Sequence, residues 1–166
     1  VGTRRSDVLK LRDIVADGAI VPALASTDRA GVVEELLSAL VASGAVPAEA
    51  KAELVKKVLD RERKGTTGVG RGVAVPHAKH PGLANMAAAI GISQRGVDFA
   101  SIDKQPVYSV VLLLSPDERA EDHLLAMEVI FRNLGKDTFR RVLRSATTVE
   151  EVSVLIDEAD RMGLSR

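Results

Sequence analysis

The sequence predicts an α/β protein of three layers, a sheet covered by helices on both faces. Three observations carry this. Apolar residues recur every three to four positions over residues 32–59 and again beyond Glu121. Between those stretches lie short runs of apolar and β-branched residues bounded by glycine and proline. One run, residues 107–114, is apolar almost throughout, the pattern of a strand covered on both sides.

Val32, Val33, Leu36, Leu37, Leu40 and Val41 share one helical face. Ser26-Thr27-Asp28 supplies the cap of that helix and Gly44 its stop. Pro47 opens a second helix at its first turn, where a missing N–H costs nothing. Leu54, Val55, Val58 and Leu59 line its apolar side, charges crowd its end, and Gly65 closes it. Residues 65–72 contain four glycines and read as a loop. Gly72-Val73-Ala74-Val75 reads as a short buried strand whose ladder ends at Pro76. Residues 86–92 read as a second strand, with a helix as the alternative, and Asp98-Phe99 as a short edge piece. The 107–114 strand is stopped by Ser115-Pro116. Leu124, Met127, Ile130, Phe131 and Leu134 then form a helical stripe ended by Gly135. A shorter helix covers 137–144. Thr147-Thr148, with Glu150-Glu151 behind it, opens a last helix with Val152, Leu155 and Ile156 facing in.

The 166 residues suit one domain over 1–166. Lys+Arg and Asp+Glu number 23 each, so no whole-molecule field draws in nucleic acid or an anionic membrane. Aromatics are 2% of the chain, too few for a base-stacking platform. The absence of Cys excludes disulfides, thiolate chemistry, Cys-type zinc sites and Fe–S clusters, and it fits the cytosol. No apolar run approaches the ~20 residues of a spanning helix, so membrane insertion is not expected. Residues 1–5 carry charge with no apolar run behind them and do not read as a signal peptide.

The informative stretch runs from Arg61 through Thr66-Thr67-Gly68-Val69-Gly70-Arg71-Gly72 to Pro76-His77-Ala78-Lys79. It is no Walker A loop, because Arg71-Gly72 follows Gly70 where Lys-Ser/Thr is needed. It is no dinucleotide loop, because the glycines follow a helix and open a strand. Tight backbone angles alone account for most of the glycines. His77 asks for more. It sits where a buried strand reaches the rim of the sheet, with Pro76 fixing its exit. Imidazole is a good nucleophile at neutral pH, its ordinary pKa being about 6.5. His123 shares the apolar face of its helix with Met127 and Ile130, and its helix start lies near the same rim. His80, before Pro81-Gly82, reads as an exposed turn residue.

These residues resemble a known family. The glycine-threonine loop running into Gly72-Val73-Ala74-Val75-Pro76-His77, with Asp122-His123-Leu124 downstream, is similar to the enzyme IIA component of the bacterial phosphoenolpyruvate-dependent phosphotransferase system, of the fructose/mannitol/nitrogen-regulatory type. Gly96-Val97-Asp98-Phe99 and Asp103 to Val107 belong to the same resemblance, which covers about residues 9–160. It implies a mixed β-sheet sandwiched between helices. It implies that His77 is the phosphorylated histidine and that His123 steadies the phosphoryl group. Arg61 matches an arginine near the site, and Thr66 and Thr67 cover a position whose hydroxyl faces the phosphohistidine. Gly68, Gly70 and Gly72 would form the phosphoryl-binding loop. The implied partners are a histidine phosphocarrier protein and a IIB domain or a regulatory target, in the cytoplasm, with no cofactor. Val69, Lys79 and Leu83 are candidates for the docking surface, whereas Val73 and Met86 read as core.

Two other readings stand beside this one. His77, His80 and His123 could bind a metal, since His77-x-x-His80 has usable ligand spacing. A IIA-type domain with no IIB or membrane segment legible in the chain could signal rather than feed sugar transport.

Overall fold

The computed structural model describes residues 9–164, so residues 1–5 lie outside it. The elements run α1 (Leu11–Ile14), β1 (Val15–Val21), α2 (Arg29–Ala42), α3 (Lys51–Lys64), β2 (Gly68–Gly70), β3 (Val73–Ala74), β4 (His77–His80), β5 (Ala87–Val97), β6 (Val107–Pro116), α4 (Ala120–Leu134), α5 (Asp137–Ser145) and α6 (Val149–Leu164). Among these residues no helix is long and apolar enough to cross a membrane.

The strands form one sheet in the order β1-β5-β6-β3-β2. β5 and β6 are antiparallel, whereas β1 lies parallel to β5. β3 and then β4 pair in parallel with the other edge of β6, so the sheet is mixed. Side chains alternate across it. Leu112 and Leu114 join Leu36, Leu37, Leu40, Leu54 and Val58 in a core beneath α2 and α3. Val111 and Leu113 join Ile130, Phe139, Leu143 and Ile156 in a second core beneath α4, α5 and α6. β6 is covered on both sides, which is why its sequence is apolar without interruption.

The helix ends follow their caps. Asp28 accepts the Gly31 N–H at 2.7 Å before α2, and Gly44 takes φ +84° after it. Thr148 Oγ1 accepts the Glu151 N–H at 3.1 Å before α6. Pro47 does not open α3 itself. It precedes a single 3₁₀ turn, Ala48–Ala50, that leads into the helix.

The structure differs from the sequence reading in the sheet. α1 and β1 have no counterpart in that reading, because Asp17-Gly18 interrupts their apolar pattern. Residues 65–72 are not all loop: β2 pairs with β3 through the two-residue turn Arg71-Gly72. Both turn residues have positive φ, 61° and 77°, as a tight hairpin of this twist demands. The ladder does not end at Pro76 either. Proline has no N–H to give, but its carbonyl accepts from Leu113 N at 3.0 Å, and pairing resumes with His77 beside Leu113. Likewise β6 continues through Ser115 and Pro116, opposite Lys79 and His80. Of residues 86–92, all but Met86 belong to a strand that runs on to Val97, so the helical alternative falls. Asp98 makes only an isolated bridge to Asp28, and Phe99 is fully buried.

Candidate functional site

Strand alternation aims the first residue of the site. Val73 and Val75 face the α4 side, and His77, two residues on, takes the same side beside Leu113. Ser115 follows Val111 and Leu113 to that side on β6. A short turn then leads into α4, whose fourth residue is His123. The two imidazole rings lie 5.4 Å apart between centroids, tilted by 50°.

His77 is half-buried, and its Nδ1 is 2.9 Å from the carbonyl oxygen of Val75. A carbonyl only accepts, so Nδ1 carries the proton and donates it. Nε2 therefore keeps its lone pair. Burial holds the pKa of His77 below the ordinary value, and the charges of Arg61 and Lys79 push the same way. The Val75 carbonyl and Glu62 oppose that shift without reversing it. His123 is buried, with Nδ1 2.7 Å from Ser115 Oγ. Burial first, then His77 and Lys79, lower its pKa to about 4. Both rings are neutral at neutral pH.

They open into a cleft of about 790 Å³. Lys57, Arg61 and Lys64 of α3 line it from one side, Lys79 of β4 and Leu124 and Met127 of α4 from the other. Arg61 is held there by donating to the Gly65 carbonyl at 2.8 Å. Lys57 donates to the Lys79 carbonyl at 3.0 Å and so ties α3 to β4. Asp60 and Asp117 are the acidic members of the lining. An unprotonated imidazole nitrogen among ammonium and guanidinium groups suits attack on an anionic electrophile, because those cations neutralise charge that builds on its oxygens.

The threonines and glycines of the loop do not line this cleft. Thr67 gives both its N–H and its hydroxyl to the buried carboxylate of Glu62. Thr66 gives its hydroxyl to the Phe99 carbonyl at 2.7 Å and accepts the Gly68 N–H at 3.0 Å. Arg71 N–H goes to Asp103. The N–H groups of Thr67, Gly68 and Arg71 are thus already bonded, and Gly68, Gly70 and Gly72, expected to form a phosphoryl-binding loop, do not line the cleft at His77. Gly68 instead permits close approach, since a Cβ there would stand 2.4 Å from Ser101 Oγ. Val69 and Lys79 are exposed, but Leu83 is buried in the α2–α3 core and offers no docking surface.

His80 is not an exposed turn residue. It is buried, Nδ1 accepts the Gly82 N–H at 2.9 Å, and Nε2 lies 3.2 Å from Glu53 of α3. In a strand, positions three apart face opposite sides, so His80 points away from His77. The three histidines therefore do not converge, and among the described residues no cluster of metal-ligating side chains is present.

Four contributors were missed in the sequence. Lys57 and Lys64 recur with Arg61 at helical spacing, a stripe that a charged-face reading of α3 would have found. Ser115 was hidden by treating Ser115-Pro116 as a strand stop. Glu62 was hidden in a charged helix end.

The family described as "Phosphoenolpyruvate-dependent sugar phosphotransferase system, EIIA 2" matches residues 14–159. A nitrogen regulatory protein of Bradyrhizobium diazoefficiens is 33% identical over 87% of this chain and 92% of its own length. The fructose-specific EIIABC component of Bacillus subtilis is 27% identical over 92% of this chain, which spans only 24% of that larger protein. Among solved structures, nitrogen regulatory protein IIA-Ntr of Neisseria meningitidis superposes with a TM-score of 0.77, at 25% identity over 86% of this chain and 96% of that one. IIA mannitol of Escherichia coli shares the fold at a TM-score of 0.71 and 20% identity, over 86% and 98%. With the family match spanning all but the chain's ends, this protein belongs to the EIIA 2 family of the phosphoenolpyruvate-dependent sugar phosphotransferase system.

Proposed function

We propose that Nε2 of His77 accepts a phosphoryl group from the phosphohistidine of a carrier protein and passes it to a IIB domain. The observation that carries this is the Nδ1–H bond to the Val75 carbonyl, which leaves Nε2 unprotonated inside a cation-lined cleft. One N–P bond breaks on the donor as one forms on His77. Nδ1 keeps its proton throughout, so no general base is required. Catalysis is positioning and charge neutralisation, which is what phosphoryl transfer asks of a protein. We assign the Ser115 hydroxyl, 2.7 Å from Nδ1 of His123, as the donor of that bond, which places the ring proton on Nε2 for donation to a phosphoryl oxygen. Arg61, with Lys57, Lys64 and Lys79, spreads positive charge along the approach. Lys79 on β4, with the exposed Leu124 and Leu125 beside His123, forms the rim on which a partner docks. A solved complex of IIA mannitol with phosphorylated IIB mannitol from Escherichia coli, at a TM-score of 0.72 and 19% identity, has this same fold.

The test is intact mass after incubation with phosphoenolpyruvate, enzyme I and a histidine phosphocarrier. One acid-labile phosphoryl adduct is expected, absent in His77→Ala. An unchanged adduct in His77→Ala overturns the assignment. A regulatory role is the second reading, favoured by the similarity to nitrogen regulatory proteins. Sugar-dependent loss of the adduct supports transport. Its absence, with phosphorylation-dependent capture of a target protein, supports regulation.

A further inference from the structure

A second cavity lies at the other end of the β3–β4 line. Val73, at its edge, pairs with Ser109, and His77 pairs with Leu113 four residues further on, roughly 13 Å away at strand rise. The inner part of this cavity measures about 160 Å³ and is lined by Arg71, Arg140, Arg141, Arg144, Asp137 and Ser109. It shares no residue with the cleft at His77.

Four guanidinium groups face one carboxylate. Asp137 is engaged by Arg140 and Arg141. Arg140 is 13% exposed at its side chain and is fixed by donating to the Leu134 carbonyl at 2.7 Å. Arg144 lies 3.5 Å over the Tyr108 ring, which orients its guanidinium without neutralising it. Arg71 projects from the tight turn between β2 and β3 and forms no ion pair among the described residues. Ser109 is 2% exposed and lines the cavity, and its hydroxyl makes no hydrogen bond among those residues. Ser109 therefore lines the cavity beside Arg71 and Arg144, which have no carboxylate partner among the described residues, and its hydroxyl is free to donate to an anion there.

Arg71, Arg140 and Arg144 also line an adjoining cleft of about 470 Å³, together with Asp103, Gln105, Pro106 and Tyr108. That outer part is polar and offers donors and acceptors for hydroxyl groups. Guanidinium forks match phosphate oxygens, and convergence from two elements suits a tetrahedral group. We infer that this cavity binds a phosphomonoester of a small polar alcohol, its phosphate held by Arg71, Arg144, the Arg140–Arg141 pair and Ser109, its hydroxyls lying in the outer cleft. The site goes beyond the transfer chemistry at His77 and does not depend on it.

The experiment is a titration of the ¹⁵N-labelled full chain followed by amide shifts, with glycerol 3-phosphate, inorganic phosphate and glycerol as probes. Glycerol 3-phosphate should give saturable shifts at Gly72, Val73, Tyr108 and Ser109. Inorganic phosphate should bind there about tenfold more weakly, and glycerol not at all. Arg71→Gln with Arg144→Gln should weaken binding at least about tenfold while the rest of the spectrum keeps its wild-type pattern. Ser109→Ala should weaken it by about threefold. Shifts confined to Lys79 and His123, or an unchanged affinity in the double arginine variant, overturn the site. Equal affinity for inorganic phosphate overturns the ester.

Discussion

Ser115 is fully buried and has one side-chain partner, Nδ1 of His123 at 2.7 Å. We propose that it donates to Nδ1 and so keeps the ring proton of His123 on Nε2 during transfer. Ser115→Ala removes that constraint and leaves Nδ1 without a donor. We expect it to cost on the order of 1 kcal/mol of stability and to slow phosphoryl transfer by about tenfold. The ring ¹⁵N shifts of His123 should change tautomer, and Ser115→Thr should restore them. A slowed rate with unchanged ring shifts contradicts the tautomer role. His123 also makes a pH prediction. Its pKa of about 4 lies below the unfolded value of about 6.5, so the unfolded chain binds more protons between those limits. The cost is absent above pH 6.5, grows as pH falls, and is complete below about 4. Urea unfolding of wild type and His123→Gln should therefore diverge over that window and run parallel above it. His77 and His123 were legible in the sequence, because their motifs are compact. Ser115 was not, because its meaning depends on β6 outrunning a proline.

At the level of elements, the β2–β3 hairpin does not line the His77 cleft, and we propose that it serves as framework. Glu62 at the end of α3 is buried, with Arg29 3.8 Å away, and it takes both polar groups of Thr67. This joins the end of α3 to the start of the hairpin, and Val75 N–H closes onto the Thr67 carbonyl at 3.4 Å. Thr67→Ala should lower stability by about 1–2 kcal/mol, and Glu62→Ala by about 2–3 kcal/mol, because the latter leaves two buried donors unpaired. In both, the rate of His77 phosphorylation should stay within about threefold of wild type at a temperature where the variant is folded. A hundredfold loss in folded Thr67→Ala would return the hydroxyl to the reaction. The role of the glycine-rich loop was not legible in the sequence, because glycines that permit close packing and glycines that cradle an anion look alike there. Only the bonded N–H groups separate them.

Across the whole molecule, the layers were legible and the strand order was not. Helical periodicity marks each helix separately, but nothing local in Val15–Val21 announces a parallel edge strand, and pairing is a long-range property. The same distinction governs charge. Lys+Arg and Asp+Glu balance at 23 each, so the chain has no net field. Folding nevertheless brings Lys57, Arg61 and Lys64 from one layer against Lys79 at the sheet edge, around His77. A donor arrives there carrying a doubly anionic phosphoryl group. Local charge should therefore accelerate encounter even though total charge cannot. The second-order rate of phosphoryl transfer should fall several-fold as salt rises from about 20 to about 200 mM, as the Debye length shrinks from roughly 20 to roughly 7 Å. Lys57→Gln with Lys64→Gln should lower the rate at low salt and flatten the dependence. The single-turnover rate at saturating donor should change less than the second-order rate, because these side chains act on approach. Salt dependence as steep in the double variant as in wild type would show that the steering charge lies elsewhere on the surface.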